Sequence, residues 1–579
     1  MRRAAASRAT AGRPSARGAT APPRPGRAGR ARAVILPLVL LILVLIGLLV
    51  GGFAFRVHAD RSSINAVALR LHTRLAAEAG IEKVLLGLRT LRADVSAWYD
   101  NPDELNRIIV WTPEEETLWG TNEELDEGAL AYRFSIVADD PFDDEERSRF
   151  GITDESARLN LNTATPEQLT RLISQIATEE MVVEELVDAL LDWRDEDEQP
   201  REFGAEFEYY GVLDTPYRPK NGPFDTVEEL LMVRGFDGRV LYGEDHDRNG
   251  LLGPNEDDGD ESFPDDDGDG ELNRGLYPYV TVLSYDTNTD SQNRPRINLY
   301  GDTNALGTQL AEVFPDQPDK AQFIVSALSS GDGEGEDGGE GEPGGEQGAE
   351  GEDEAPGDSG EGEGNAGGEN EERSLDENTG AEGEGEGEGE DPEGEGGGSE
   401  QSGDGDESDR LRSPADLLTV ASDGSNPLAV EDLPVLMDRL TTTDPLAELP
   451  GLINVLTAPP RVLRCVSGLS AEEVAGIVQV RADLDPEERR TTAWLVTREV
   501  LTLEKYQQVA PDLTVNGRQF TIEALGYADH AGIITRLQVI VEMRGPVPQV
   551  VYYRDLTALG SIFPIREGEG EYGFGGTSG

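Results

Sequence analysis

One cysteine, Cys465, and four histidines, His58, His72, His246 and His530, stand in a chain of 579 residues. A lone cysteine excludes an internal disulfide framework. The histidines are scattered, with no pair at zinc-ligand spacing, which argues against a zinc site or histidine-based catalysis. Basic residues are scarce as well: 49 Lys and Arg face 115 Asp and Glu, for a formal charge of −66. Nine arginines and no acid occupy residues 1–33, so the remainder carries −75. A body of that charge repels nucleic acid and anionic membrane surfaces and attracts cations. Catalytic signatures are missing too. There is no G-x-S-x-G, no Walker loop, no H-E-x-x-H and no Cys–His constellation, and catalysis is not expected.

What is present begins with Val34 to Phe55, a run without a charged residue. As a helix it measures roughly 33 Å, the thickness of a bilayer core. Arg24, Arg27, Arg30 and Arg32 precede it and place the N-terminus in the cytoplasm. The run is too long for a cleaved signal peptide, and no A-x-A-like site follows. Instead Ile64, Val67, Leu71, Leu75, Ile81, Leu85 and Leu88 recur at helical spacing. The pattern predicts one helix from about Val34 to Leu91, roughly 87 Å long, apolar in its first half and amphipathic in its second.

Ala129 to Ala138 alternates as a strand does. Arg158 to Leu169 then reads as a short strand feeding an N-capping Thr165, with Pro166 at the first helical position. Helices are expected over 166–177 and 179–194, a loop over 195–224, and a short helix capped by Asp225 and closed by Gly235. Leu452 to Leu463 repeats the first motif, with a helix from Ser470 and another over Thr497 to Tyr506. The first copy occupies 158–280 and the second 411–515. Short helices around small turns are helix-hairpin-helix-like, a DNA-binding device, but the acidic body favours a plain scaffold. Between the copies, residues 331–410 are nearly all Gly, Glu, Asp, Ser and Pro, too poor in apolar surface to order. Arg518–Leu525, Gly532–Glu542 and Gln549–Asp555 read as a closing antiparallel meander over 516–560.

One motif carries chemistry. Asp245 to Glu256 matches a twelve-residue EF-type calcium loop: Asp245, Asp247 and Asn249 at positions 1, 3 and 5, Gly250 at the turn, the Leu251 carbonyl at 7 and Glu256 at 12. Tight turning brings these oxygens around one hard cation, so Ca2+ in a structural role is expected. Asp265, Asp267, Asp269 and Asn273 repeat the start of the pattern around Gly270, with Leu276 where the bidentate acid would stand.

Several runs together resemble a known family, the type II secretion system protein K (general secretion pathway protein K) minor pseudopilins. These are Leu75 to Glu82, Arg158 to Ala164, Leu190 to Asp197 (LLDWRDED), Gly204 to Tyr210 (GAEFEYY), Asn221 to Asp225, Glu228 to Gly235 and Leu276 to Val280. The resemblance implies an α+β, pilin-like fold, a long N-terminal helix on an antiparallel sheet, with a large inserted α-helical domain; the acidic insertion here is an addition. It implies a single-pass inner-membrane subunit whose periplasmic body sits at the tip of a pseudopilus. Its partners would be other minor pseudopilins, the secretion machinery and prepilin peptidase, with no nucleic acid. Cleavage is expected between Ala33 and Val34, although Gly usually precedes that site. Leu38 stands where most pseudopilins carry Glu, which suits a subunit with no copy above it.

Overall fold

The computed structural model describes residues 35–92, 94–111, 131–139, 149–177, 182–259, 262–264, 266, 268–329, 410–420, 426–528, 532–545 and 547–562. Ala33, Val34, Asp265, Asp267 and the Gly/Glu-rich stretch expected to be disordered lie outside them, apart from its last residue, Arg410. Two compact units emerge: Met1–Ser291 with Leu446–Gly579, and Gln292–Pro445.

A single helix, Ile35–Leu91, opens the first unit and ends where the sequence places its end. It is long and apolar enough to cross a membrane, and its most apolar stretch is wholly uncovered. Only the last third packs. Ala77, Ile81, Val84 and Leu88 enter a core with Phe134, Ile136, Phe520, Ile522, Leu537 and Val539. Ile64, Val67, Leu71 and Leu75 belong to the same expected amphipathic stripe but are at least half exposed. The sheet reaches the helix only from about Leu69 onward, where Leu69 packs with Tyr132 and Ala528, and one turn later Thr73 Oγ1 lies 2.8 Å from Thr535 Oγ1. The contact is close because it is made of small residues. A Cβ on Gly526 would meet the Thr73 carbonyl oxygen at 2.0 Å, and one on Gly80 would meet the Phe134 ring at 2.7 Å.

The sheet runs in the order Ile108–Trp111, Tyr132–Val137, Gln519–Ala528, Ile534–Glu542, Gln549–Asp555, and Thr153–Asp154 also pairs with Gln519–Ala528. Every pairing is antiparallel. The closing meander forms as expected. Phe520, Ile522 and Ala524 on one strand and Leu537, Val539 and Val541 on the next cover the helix on one face, which fixes the register. Tyr132–Val137 and Gln519–Ala528 are neighbours although most of the helical chain is strung between them.

That helical chain is built from one motif. Leu159–Asn160 pairs in parallel with Val280–Thr281, and Ile453–Asn454 with Leu513–Thr514. In both, the Asn side chain accepts from the amide two residues on, Asn162 at 2.9 Å and Leu456 at 3.0 Å. The Thr hydroxyl does the same for Leu283 at 3.2 Å and Asn516 at 3.0 Å. Capped helices follow: Pro166–Ile173 under a Thr165–Gln168 capping box and Ala471–Val480 under Ser470–Glu473. These are the two copies read from the sequence.

The second unit holds a third. Ile297–Asn298 pairs in parallel with Leu440–Thr441, Asn298 accepts from the Tyr300 amide at 2.9 Å, and Thr441 from Thr443 at 3.3 Å. Helices Thr303–Val313 and Pro318–Ser329 follow, the first capped by Asp302. Leu306, Leu310, Phe314, Ile324, Leu417 and Leu436 make its core. Residues 410–445 therefore close this unit and do not open the copy expected from 411.

Smaller expectations shift. The helix after 194 is a one-turn piece, Phe207–Tyr210, within the expected loop. The segment expected to be capped by Asp225 is a 3-10 turn, Val227–Met232, with Thr226 at its start, because the Asp225 amide donates back to Glu229 at 3.0 Å. Thr497 ends a short helix, Trp494–Thr497, while Leu503–Val509 starts after Thr502. Glu499 at φ 57° turns the chain between them.

Candidate metal centre

The expected EF-type loop hangs from a closed base. The Glu244 amide donates to the Asn273 carbonyl at 2.7 Å, and the Asn273 amide to Glu244 Oε2 at 2.9 Å. A five-residue helix, Gly238–Tyr242, leads in and ends at Gly243, whose φ of 63° suits glycine. Among the described residues no α-helix follows Glu256 within the loop, so the loop sits outside a helix–loop–helix pair there.

Three of the expected ligands converge. Carboxylate oxygens of Asp245, Asp247 and Glu256 lie within 4.8 Å of one another. Asp245 and Glu256 are buried. Asp245 accepts from the amides of Asn249 at 2.8 Å and Gly250 at 3.0 Å. Glu256 accepts from His246 at 3.1 Å and Gly253 at 2.8 Å. Gly250 has φ 71°, the sharp turn its position demands. Asn249 Oδ1 accepts from the Leu251 amide at 2.6 Å, which keeps the chain curled around the acids.

Burial, then the Asp139 and Asp247 charges, push the Asp245 carboxyl up to about 8. Burial alone leads for Glu256, which rises to about 7. Three acids held this close cannot all ionise without a counter-charge. The donor set is hard oxygen, and it fits a hard divalent cation.

Four arginines tie this loop to the sheet and its surroundings. Arg536, fully buried on Ile534–Glu542, donates to the carbonyls of Asp247 at 2.9 Å and Arg248 at 2.6 Å. Its other face pairs with Glu523. Arg274 bridges Asp139 at 2.8 Å and the Gly250 carbonyl at 3.0 Å. Glu228 joins Arg248 and Arg554. None of these arginines carries a sequence signal for the role, since partners lie up to 326 residues apart.

The second expected loop is not assembled among the described residues. Asp269 is exposed and caps the Glu271 amide at 2.8 Å. Asn273 instead closes the base, its Oδ1 accepting from Gly275 at 3.2 Å. Asp265 and Asp267 lie outside the described residues. A different acidic group was missed: Asp195, Asp197 and Glu206 also lie within 4.8 Å of one another. Its signal is the Asp-x-Asp at a helix end, with the Glu of Gly-Ala-Glu nine residues after the second acid.

Residues 149–242 match the family described as type II secretion system (T2SS), protein K. The type II secretion system protein K of Pseudomonas aeruginosa is 30% identical over 215 residues, 35% of this chain and 56% of that protein. That of Klebsiella pneumoniae is 36% identical over 104 residues, 16% of this chain and 32% of that protein. The chain thus spans about half the length of the first relative and a third of the second. A solved structure, the GspK-GspI-GspJ complex of the enterotoxigenic Escherichia coli type 2 secretion system, contains a chain aligned at 12% identity with a TM-score of 0.28. The alignment covers 86% of this chain and 98% of that one. A score this low establishes no common fold. The resemblance read from the sequence stands on the family match and the curated relatives: over its first helical repeat, this chain is similar to type II secretion system protein K.

Proposed function

We propose that the protein is a minor pseudopilin of a type II secretion system, anchored in the inner membrane with its acidic body in the periplasm. It acts at the tip of the pseudopilus, starting or capping assembly and so assisting protein export. The match of residues 149–242 carries this reading. The helix supports it: nearly all its large apolar side chains stay exposed from Leu36 to Val67, and Leu71 and Leu75 stay exposed beyond them, well past the length a bilayer needs. In a membrane-anchored monomer, Ile64, Val67, Leu71 and Leu75 would face water; in a filament they face neighbouring helices. Leu38, lacking the charge most pseudopilins place there, suits the terminal position. The pilin-like core is then the helix on its sheet, and the helical body is the insertion into it.

Other minor pseudopilins are the proposed partners, and prepilin peptidase the processing enzyme, cutting between Ala33 and Val34. The 245–256 loop takes one structural Ca2+ through Asp245, Asp247, Asn249, the Leu251 carbonyl and Glu256. Crosslinking of the tagged chain in its native membrane tests the assembly reading. Small pilin-like subunits should be captured, and Leu71→Glu on the exposed stripe should reduce their capture. Recovery of the tagged chain without any such subunit refutes it.

A further inference from the structure

Between the end of the apolar span and the sheet, the charge of the chain reverses. Residues 56–75 hold four arginines, Arg56, Arg61, Arg70 and Arg74, against a single acid, Asp60, in a chain of net charge −66. Arg74, at the level of the sheet, meets acids of its own chain, Glu78 at 3.0 Å and Asp555 at 3.7 Å, and donates to the Tyr553 hydroxyl at 2.9 Å. Arg56, Arg61 and Arg70 are exposed and pair with no acid among the described residues. These three border the uncovered apolar stripe. In heptad lettering with Val57, Ile64 and Leu71 at a and Val67 at d, Arg56 and Arg70 fall at g and Arg61 at e, the positions that flank a helix–helix seam and pair across it. Asp60 and Arg74 take the d positions at either end, so the dry part of the seam is the pair of turns from Ile64 to Leu71.

A lipid surface, a second copy of this chain and a helix of another protein compete for this face, and geometry separates them. At about 1.5 Å per residue, Arg61 stands about 9 Å beyond Phe55 and Arg70 about 22 Å. The headgroup layer is only about 5–7 Å deep on each side of the hydrocarbon, and a helix tilted by about 40° still carries Arg70 about 17 Å out. Headgroup phosphates therefore meet Arg56 and Arg61 and leave Arg70 and Leu71 bare. A second copy repels itself. In a parallel, in-register pair a g residue faces the following e residue of the other helix, which sets Arg56 against Arg61 on both sides of the seam. A different helix with acids at those heights neutralises all three arginines while it covers Ile64, Val67 and Leu71, each more than half exposed in the isolated chain.

We infer that residues 56–71 are the docking face for one parallel helix of a different subunit, with an apolar seam and with Asp or Glu at the flanking positions opposite Arg56, Arg61 and Arg70. This rests on the secretion reading above and adds to it the chemistry of the partner. Apolar contact supplies the attachment, and the arginines decide which helix is accepted, because a basic neighbour places like charges face to face. The same rule bars a second copy from the position, so the chain enters an assembly singly, beside an acidic neighbour.

The test uses the full chain in its native membrane. Arg61→Lys with Arg70→Lys keeps both charges and adds amines that a carbodiimide, a zero-length reagent, joins to a carboxylate in contact. Linked peptides should connect residue 61 or 70 to an Asp or Glu on a helix of a small pilin-like subunit. Separately, p-benzoylphenylalanine in place of Val67 captures whatever covers the stripe. Arg61→Glu with Arg70→Glu, both at exposed positions that leave the fold intact, should cut that capture at least about fivefold, while the lysine pair leaves it unchanged. Equal capture of a small subunit by the parent and the charge-reversed chain, with no carbodiimide link to it, overturns this proposal and leaves the secretion reading standing. Capture at residue 67 of phospholipid alone, or of a second copy alone, overturns both.

Discussion

Replacing Arg536 with leucine removes the residue that holds the 245–256 loop on the sheet. Its guanidinium is fully buried, paired with Glu523, and bonded to the carbonyls of Asp247 and Arg248. Taking one partner from a buried pair costs about 3–5 kcal/mol, and the lower end applies because Glu523 is slightly exposed. Two orphaned carbonyls add about 1 kcal/mol each. The expected loss is then about 5 kcal/mol, a large share of a domain's stability. Chains of several units depart from two-state unfolding in urea, so amide hydrogen exchange is the better assay. Peptides covering 245–256 and 534–542 should lose protection together in Arg536→Leu. Glu523→Gln in the same chain should restore part of it, because the stranded charge is gone. A loss below about 1 kcal/mol, or loss of protection in the loop alone, would refute the idea that this arginine couples loop and sheet.

Three further outcomes are expected. Glu256→Gln should abolish most of the rise in melting temperature that calcium gives the loop, read by calorimetry on the stripped and loaded chain. Gly526→Ala should cost about 3 kcal/mol or more, since its Cβ meets the Thr73 carbonyl oxygen at 2.0 Å and must lift the long helix off the sheet; hydrogen exchange across residues 73–88 reads it. Asp154 is fully buried and its carboxyl is pushed up to about 6, chiefly by burial, despite bonds from Thr457, Ser156 and Asn454. A raised folded pKa means the native state holds the proton longer than the unfolded chain. This group's contribution is therefore fully present below about pH 4 and lost as pH rises through about 6. Asp154→Asn should flatten that part of the stability profile, and an unchanged slope would dismiss the assignment.

Local signals served well where one stretch of chain decides the outcome. The end of the long helix, the Thr165 and Ser470 caps and the three closing strands depend on neighbours in sequence, and they stand where propensity and pattern place them. The Asp245–Glu256 spacing is likewise local, and its acids converge. What the sequence hid depends on distance. The helical stripe looked uniform from Ile64 to Leu88, and nothing local says that the sheet meets only its last third. Arg536 reads as one more charge on a strand until its partners arrive from elsewhere in the chain. The third copy was masked because Ile297-Asn298 and Leu440-Thr441 are separated by an acidic stretch that swamps any repeat signal. Glu206 stands inside a run that carries the resemblance, but only the folded chain shows that it is buried beside Asp195 and Asp197.

In each of the three parallel pairs, the strand that opens a repeat lies directly beside the strand that closes it. Each repeat therefore leaves the backbone where it entered, like a bead on a stem. A bead of that kind can be added, lost or enlarged without asking its neighbours to move, because the two ends already meet. The long acidic stretch lies between Ser329 and Arg410, inside the bead whose stem is Ile297–Asn298 and Leu440–Thr441. Lengthening a loop already closed at its base adds only about 0.6 kcal/mol per doubling. The chain can thus vary the amount of negative charge it carries while the helix, the sheet and the two other repeats keep their register.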